Sequence, residues 1–151
     1  MANPPTARSS DFMINVIEKV VYTGKTHTTG GRHGKSRSSD DRLVVDLSPP
    51  GSNGPGTNPE QLFAAGWSAC FLSAVAKAAQ AAKVALPTDA AVDAEVDLGL
   101  TGESAFLAAR LNVSLPGIER EVAEALVAKA HKTCPYSKAS RGNIDVEINV
   151  V

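Results

Sequence analysis

TNPEQLFAAGWSACF, residues 57–71, opens with a helix start signal and then carries no charge between its glutamate, Glu60, and Lys77. Asn58 is suited to cap the free amides of a first turn, Pro59 suits the first helical position, and Gln61 stands three residues after the cap, where a capping box places it. Continued through EQLFAAGWSACFLSAVAKAAQAAK, the helix is apolar nearly all round, so other structure has to wrap it. The uncharged run, residues 61–76, falls short of the roughly 20 residues a bilayer requires, which points to a buried central helix. That helix contains one thiol, Cys70, and the chain offers only one other, Cys134.

Upstream, EKVVYTGKTHTTGGRHGKSRSSDDRLVVDLS alternates loosely at period two on both sides of a Gly/Ser/Asp-rich bend, the pattern of strands joined by hairpins. Arg32 lies just past Gly30-Gly31, where the chain bends, and SPPGSNGPGTNP, residues 48–59, is an irregular connection into the helix. Downstream, Val92, Ala94, Val96, Leu98 and Leu100 alternate with Asp93, Glu95 and Asp97, and residues 105–115 repeat the pattern after a turn at Gly102-Glu103. IEREVAEALVAKAHKTCP reads as an amphipathic helix whose inward row is Val122, Leu126, Ala130 and Cys134, with Pro135 ending it nearby. Ile144, Val146, Ile148 and Val150 then alternate in a closing strand. The class is α+β, an antiparallel sheet folded over at least one buried helix.

At 151 residues the chain is one domain of ordinary size, read as a mobile leader over residues 1–16 and a single domain over 17–151. The leader lacks the apolar core of a secretory signal, which places the protein in the cytoplasm. Fifteen basic against sixteen acidic residues, with no basic cluster interleaved with aromatics, exclude a nucleic-acid partner. In a reducing compartment two cysteines are either inert buried thiols or redox chemistry.

For chemistry, Cys70 has Gly66, Ser73 and Ala74 one helical turn away, small residues that admit a ligand or a tightly packed neighbour. Glu60 favours the helix dipole as a first-turn carboxylate, or holds a cation over a cleft at the end of the Gly/Pro-rich loop. Ten residues of helix, a rise of about 15 Å, separate it from Cys70, so the two do not touch on one straight helix. Either a long cation, Arg32 or Arg37, bridges the gap, or a second copy of the helix, packed antiparallel in a dimer, brings Glu60 of one subunit toward Cys70 of the other. Burial raises a thiol pKa and a guanidinium reverses that, so a working Cys70 needs an arginine steered by a carboxylate. The same arginine would stabilise charge on a breaking O–O bond, and Cys134 would condense with the resulting sulfenic acid.

TNPEQLFAAGWSACF together with HKTCPYSKASRGNIDV, at the spacing they have here, resembles the organic hydroperoxide resistance branch of the OsmC-like thiol peroxidases, with the likeness running from about Glu18 to the C-terminus. The resemblance implies that Cys70 attacks the hydroperoxide and Cys134 resolves it as an intramolecular disulfide. It further implies that Arg32 of TGGR and Glu60 of NPEQL activate the thiolate and hold the substrate. The implied fold is an intertwined homodimer with two central buried helices covered by antiparallel sheets from both chains. The implied substrates are alkyl or fatty-acid hydroperoxides. The implied reductant is a dihydrolipoyl dithiol, dihydrolipoamide or a lipoylated protein, with no bound cofactor or metal and no membrane partner. His33 departs from an expected acid, Trp67 from an expected tyrosine, and the leader is longer than usual.

Three other readings compete. His131 and Cys134 at i, i+3 with Cys70 as a third ligand would make a metal site. Cys70 with His27 or His33 as base would make a cysteine hydrolase, which leaves the second thiol without a reason. A non-catalytic small-molecule-binding dimer on the same fold predicts that Cys70→Ser leaves peroxide consumption unchanged. Phe63, Phe71 and Tyr136 are candidates for an alkyl pocket or for plain core.

Overall fold

The computed structural model describes residues 14–151; most of the expected leader, residues 1–13, lies outside the described residues. The element order is β1 (Thr26–Thr29), a 3-10 turn (Gly31–His33), β2 (Lys35–Ser38), β3 (Val44–Asp46), α1 (Pro59–Ala81), β4 (Ala91–Thr101), β5 (Ser104–Ser114), α2 (Arg120–Thr133), α3 (Pro135–Ser140) and β6 (Asp145–Val150). Two three-stranded sheets result, β1-β2-β3 and β4-β5-β6.

The sheets are not wholly antiparallel as expected: β6 pairs with β5 in parallel, Ala109 opposite Val146 and Leu111 opposite Ile148. The physical reason is the connection. Strand β5 hands over to α2 and α3, a crossover long enough to carry the chain back to the starting end of the sheet. Strands β4 and β5 form the expected hairpin, with Thr101 opposite Ser104 across Gly102 at positive φ. Strands begin only at Thr26, later than the alternation from Glu18 suggested; residues 14–25 are exposed and make no strand pairing among the described residues.

Helix α1 starts as the sequence dictates. Asn58 sits extended and its side chain accepts from the Gln61 amide at 2.8 Å, with Pro59 in the first turn. The capping box is only half formed, because Gln61 Oε1 accepts from the Thr57 hydroxyl at 2.7 Å. At 23 residues α1 is long and apolar enough to cross a bilayer, so length does not exclude a span as the uncharged run suggested; packing identifies it as a core helix. Trp67, Phe71, Ala74, Val75, Ala78 and Ala79 are buried against β4–β6 and α2. Within one chain the wrapping is one-sided: Ala65, Ala69, Ser73 and Ala76 form an exposed stripe along the opposite face. The inward row of β4 is half-buried through Val96 and then runs out, leaving Leu98 and Leu100 exposed, with Phe106 exposed on the other face of the hairpin. Large apolar side chains on the N-terminal segment, Val16, Val20, Val21 and Tyr22 among them, are exposed too.

Helix α2 ends one residue before Cys134, which closes it and opens α3, with Pro135 at the first helical position. Cys134 continues the inward row of Leu126 and Ala130 and is fully buried.

Candidate active site

The two cysteines, far apart in sequence, meet where α1 passes the α2–α3 junction. Cys134 Sγ lies 3.4 Å from Cys70 Sγ, and both thiols are free. Cys134 is 0% exposed and Cys70 is partly exposed, so an incoming reagent meets Cys70 first. Cys70, Ser73, Ala74, Lys77, Thr133 and Pro135 line a cavity of ≈ 300 Å³ beside the sulfur.

Burial pushes the Cys70 thiol above its ordinary range; the backbone amide of Tyr136 opposes this, the neighbouring Cys134 adds to it, and Lys77 opposes it more weakly. Lys77 is a site residue that sequence reading passed over. The signal was present, since Ser73, Ala74 and Lys77 follow Cys70 at i+3, i+4 and i+7, one face of a helix.

Around the thiols the aromatic residues divide. Phe71 is fully buried core. Trp67 is also 0% exposed, and its indole N–H donates to Ser137 Oγ at 3.3 Å, tying α1 to α3. Phe63 meets Trp67 edge-on at 5.6 Å and Tyr136 at 6.1 Å. Phe63, Leu107, Tyr136 and Ile144 share an apolar cavity of ≈ 530 Å³. A methyl on Gly66 would stand 2.8 Å from the Tyr136 hydroxyl, so a larger residue there would make the Tyr136 ring shift.

A second polar constellation sits at the first turn of α1. Arg32 Nη1 donates to Glu60 Oε2 at 2.8 Å and Nη2 to Oε1 at 2.6 Å, a two-pronged pair on a nearly buried carboxylate. The Arg32 hydrogen bonds hold the Glu60 carboxyl below its usual range, against burial. Local backbone chemistry makes the meeting. Gly30 and Gly31, both at positive φ, set the 3-10 turn that carries Arg32, and a side chain on Gly34 would run into the Thr29 carbonyl. The Leu47 amide donates to the Gly34 carbonyl and the Thr57 amide to Asp46, both within 2.9 Å, so the Pro/Gly-rich loop folds back and delivers Glu60 to the arginine turn.

Arg37, the other candidate cation, pairs instead with Asp41 at 3.2 Å in an exposed hairpin turn. Arg32 and Glu60 are brought together, Cys70 and Cys134 are brought together, and the pairs occupy different stretches of one helix. His27 and His33 are exposed on β1 and in the 3-10 turn and do not line the Cys70 cavity. Among the described residues no three of His, Cys, Asp and Glu converge, so His131 does not complete a ligand set with the thiols. Its carbonyl accepts from Arg141, and its Nδ1 is buried without a partner.

Residues 51–149 match the family model described as OsmC-like protein. The chain is 44% identical over 137 residues to an organic hydroperoxide resistance protein of Xanthomonas axonopodis pv. citri, covering 88% of this chain and 96% of the relative. It is 40% identical over 139 residues to the organic hydroperoxide resistance protein OhrA of Bacillus subtilis, covering 89% and 99%. The crystal structure of an organic hydroperoxide resistance protein from Legionella pneumophila superposes with a TM-score of 0.82 at 46% identity, covering 87% of this chain and 98% of that one.

Proposed function

The chain belongs to the OsmC-like family, in its organic hydroperoxide resistance branch, and from that premise we propose that it is a cytoplasmic cysteine peroxidase for alkyl or fatty-acid hydroperoxides. The observation that carries the reading is the 3.4 Å contact between a partly exposed and a fully buried thiol. Cys70 thiolate attacks the outer oxygen of the hydroperoxide; an S–O bond forms as the O–O bond breaks, and the alkoxide takes up a proton and leaves as the alcohol. Cys70 is now a sulfenic acid. The Cys134 thiol displaces its oxygen as water, giving a Cys70–Cys134 disulfide without large movement of either helix. A dihydrolipoyl dithiol then returns both sulfurs to thiols and is itself oxidised to a cyclic disulfide.

Arg32, steered by Glu60, is the cation that favours the thiolate and the departing oxygen. It performs this role across a homodimer, with two α1 helices packed antiparallel so that Arg32 and Glu60 of one copy approach Cys70 of the other. Support for the second copy comes from the exposed small-residue stripe of α1, the exposed Leu98, Leu100 and Phe106, and the unpaired apolar N-terminal segment. Mixing the protein with an alkyl hydroperoxide and dihydrolipoamide tests the reading. Alcohol production that vanishes in Cys70→Ser is expected; wild-type protein that consumes no hydroperoxide refutes it.

A further inference from the structure

The chain has a net charge of −1, yet its charges are segregated along the sequence. Residues 61–88 and 125–144, the stretches that carry the two cysteines, hold Lys77, Lys83, Lys129, Lys132, Lys138 and Arg141 and no acid. The rest of the chain carries nine cations against sixteen acids, so the two stretches total +6 and the remainder −7.

Geometry places three of these cations along the thiol mouth. Lys77 lines the Cys70 cavity, whose wall is Thr133 and Pro135. Pro135 also walls an adjoining cavity lined by Lys138 and Arg141, so these two stand on the far side of the same proline. Neither Lys77 nor Lys138 is in an ion pair among the described residues, whereas Arg110 and Arg120 each have a carboxylate, and Arg141 donates only to the His131 carbonyl. A neutral alkyl hydroperoxide gains nothing from them at this range and a fatty-acid hydroperoxide offers them a single carboxylate, whereas an anionic macromolecule engages several at once, because like charges in one region accelerate encounter.

We propose that this collar is the docking face for an acidic protein surface that presents the reducing dithiol. The inference rests on the dithiol recycling proposed above and names the chemistry of its carrier. In the docked complex one carrier thiolate attacks Cys70, the accessible sulfur of the disulfide; the Cys70–Cys134 bond breaks and Cys134 leaves as thiolate. The second carrier thiol then attacks the mixed disulfide, Cys70 leaves, and two electrons and two protons have passed from carrier to enzyme.

The test compares wild type with Lys138→Glu, a position outside the chemistry, using a lipoylated carrier domain of net negative charge and free dihydrolipoamide as alternative reductants. At low ionic strength the variant is expected to lose about tenfold or more in kcat/KM for the carrier and to match wild type with dihydrolipoamide; the wild-type rate with carrier falls as salt rises. Equal kinetics with the carrier overturn the proposal, as does a matching loss with dihydrolipoamide. A raised KM for a carboxylate-bearing hydroperoxide in the dihydrolipoamide assay would assign the collar to substrate and also overturn it. Wild type that oxidises no dihydrolipoamide at all removes the recycling reading itself, a result separate from any difference between wild type and variant.

Discussion

In its first turn α1 holds Glu60 against Arg32 through two charge-assisted hydrogen bonds, while about three turns further on it holds Cys70 against Cys134 with no charge in contact. The first pair is electrostatically complete and has nothing to act on. The second is placed for a disulfide but has a thiol whose pKa is raised by burial, so its nucleophilic form is scarce. Each pair lacks what the other supplies. The difference teaches where the proposed mechanism divides: sulfur exchange would be finished within one chain, whereas activation would depend on bringing the far end of a second α1 alongside.

Removing sulfur is the harshest way to break this contrast. Cys70→Ser is expected to abolish hydroperoxide turnover. Cys134→Ser should still be oxidised by one equivalent of hydroperoxide, but should stop at a Cys70 sulfenic acid that mass spectrometry detects as a gain of one oxygen or traps with a dimedone-type reagent. Turnover that persists in Cys70→Ser would detach the chemistry from the thiol pair altogether.

Next in size is the loss of the guanidinium. Arg32→Ala is expected to slow oxidation of Cys70 by about 100-fold, in the range for removing one charge-stabilising donor, while Arg37→Ala stays close to wild type. A mixed dimer sharpens the comparison further. Pairing an Arg32→Ala chain with a Cys70→Ser chain leaves one site with both an intact Arg32 and an intact Cys70 only if the arginine works across the interface. About half of wild-type activity per dimer is therefore expected. A mixed dimer as slow as its parents would place Arg32 on the sulfur of its own chain.

Much of this division was legible in the sequence, for reasons that differ by element. The start of α1 was readable because capping is local: Asn58, Pro59 and Gln61 carry the signal in four residues. The inward row ending at Cys134 was readable because helical periodicity is local as well. The end of α1, read at Lys83, falls within two residues of Ala81 although no glycine announces it; Lys83 adopts the left-handed conformation at φ 56°, and the Val84 amide closes the turn onto the Ala79 carbonyl. Three features were hidden because their causes are not local. The parallel pairing of β6 follows from where α2 and α3 deliver the chain. The short helix α3 hides behind Pro135, which reads as a stop although Cys134 turns it into a new start. The two-pronged Arg32–Glu60 pair needed the folded-back loop to choose it over Arg37.

A smaller effect probes how the thiol end is held together. Trp67→Phe removes the N–H that donates to Ser137 but keeps most of the buried ring, so a stability loss of about 1–2 kcal/mol is expected in chemical denaturation. The thiol contact depends on α3 staying against α1, and slower disulfide formation at unchanged Cys70 oxidation would accompany the loss. A variant with wild-type stability would show that Ser137 contributes nothing to that seam.

The least change, and the most diagnostic of electrostatics, is expected at Lys77. Its charge favours the Cys70 thiolate, so Lys77→Met raises the thiol pKa further. The sign fixes the pH window. Below the pKa of both proteins the variant reacts more slowly with an alkylating probe because less thiolate is present; above both, nearly all sulfur is ionised and the two rates converge. An exposed lysine about two turns from the sulfur is screened by water and salt, so the expected loss is small, about threefold in rate on the acid side. Lys77→Arg should restore the wild-type profile. A deficit that persists above both pKa values would mean that Lys77 shapes the cavity rather than its potential. In that case the electrostatic gap between the two ends of α1 is closed by Arg32 alone.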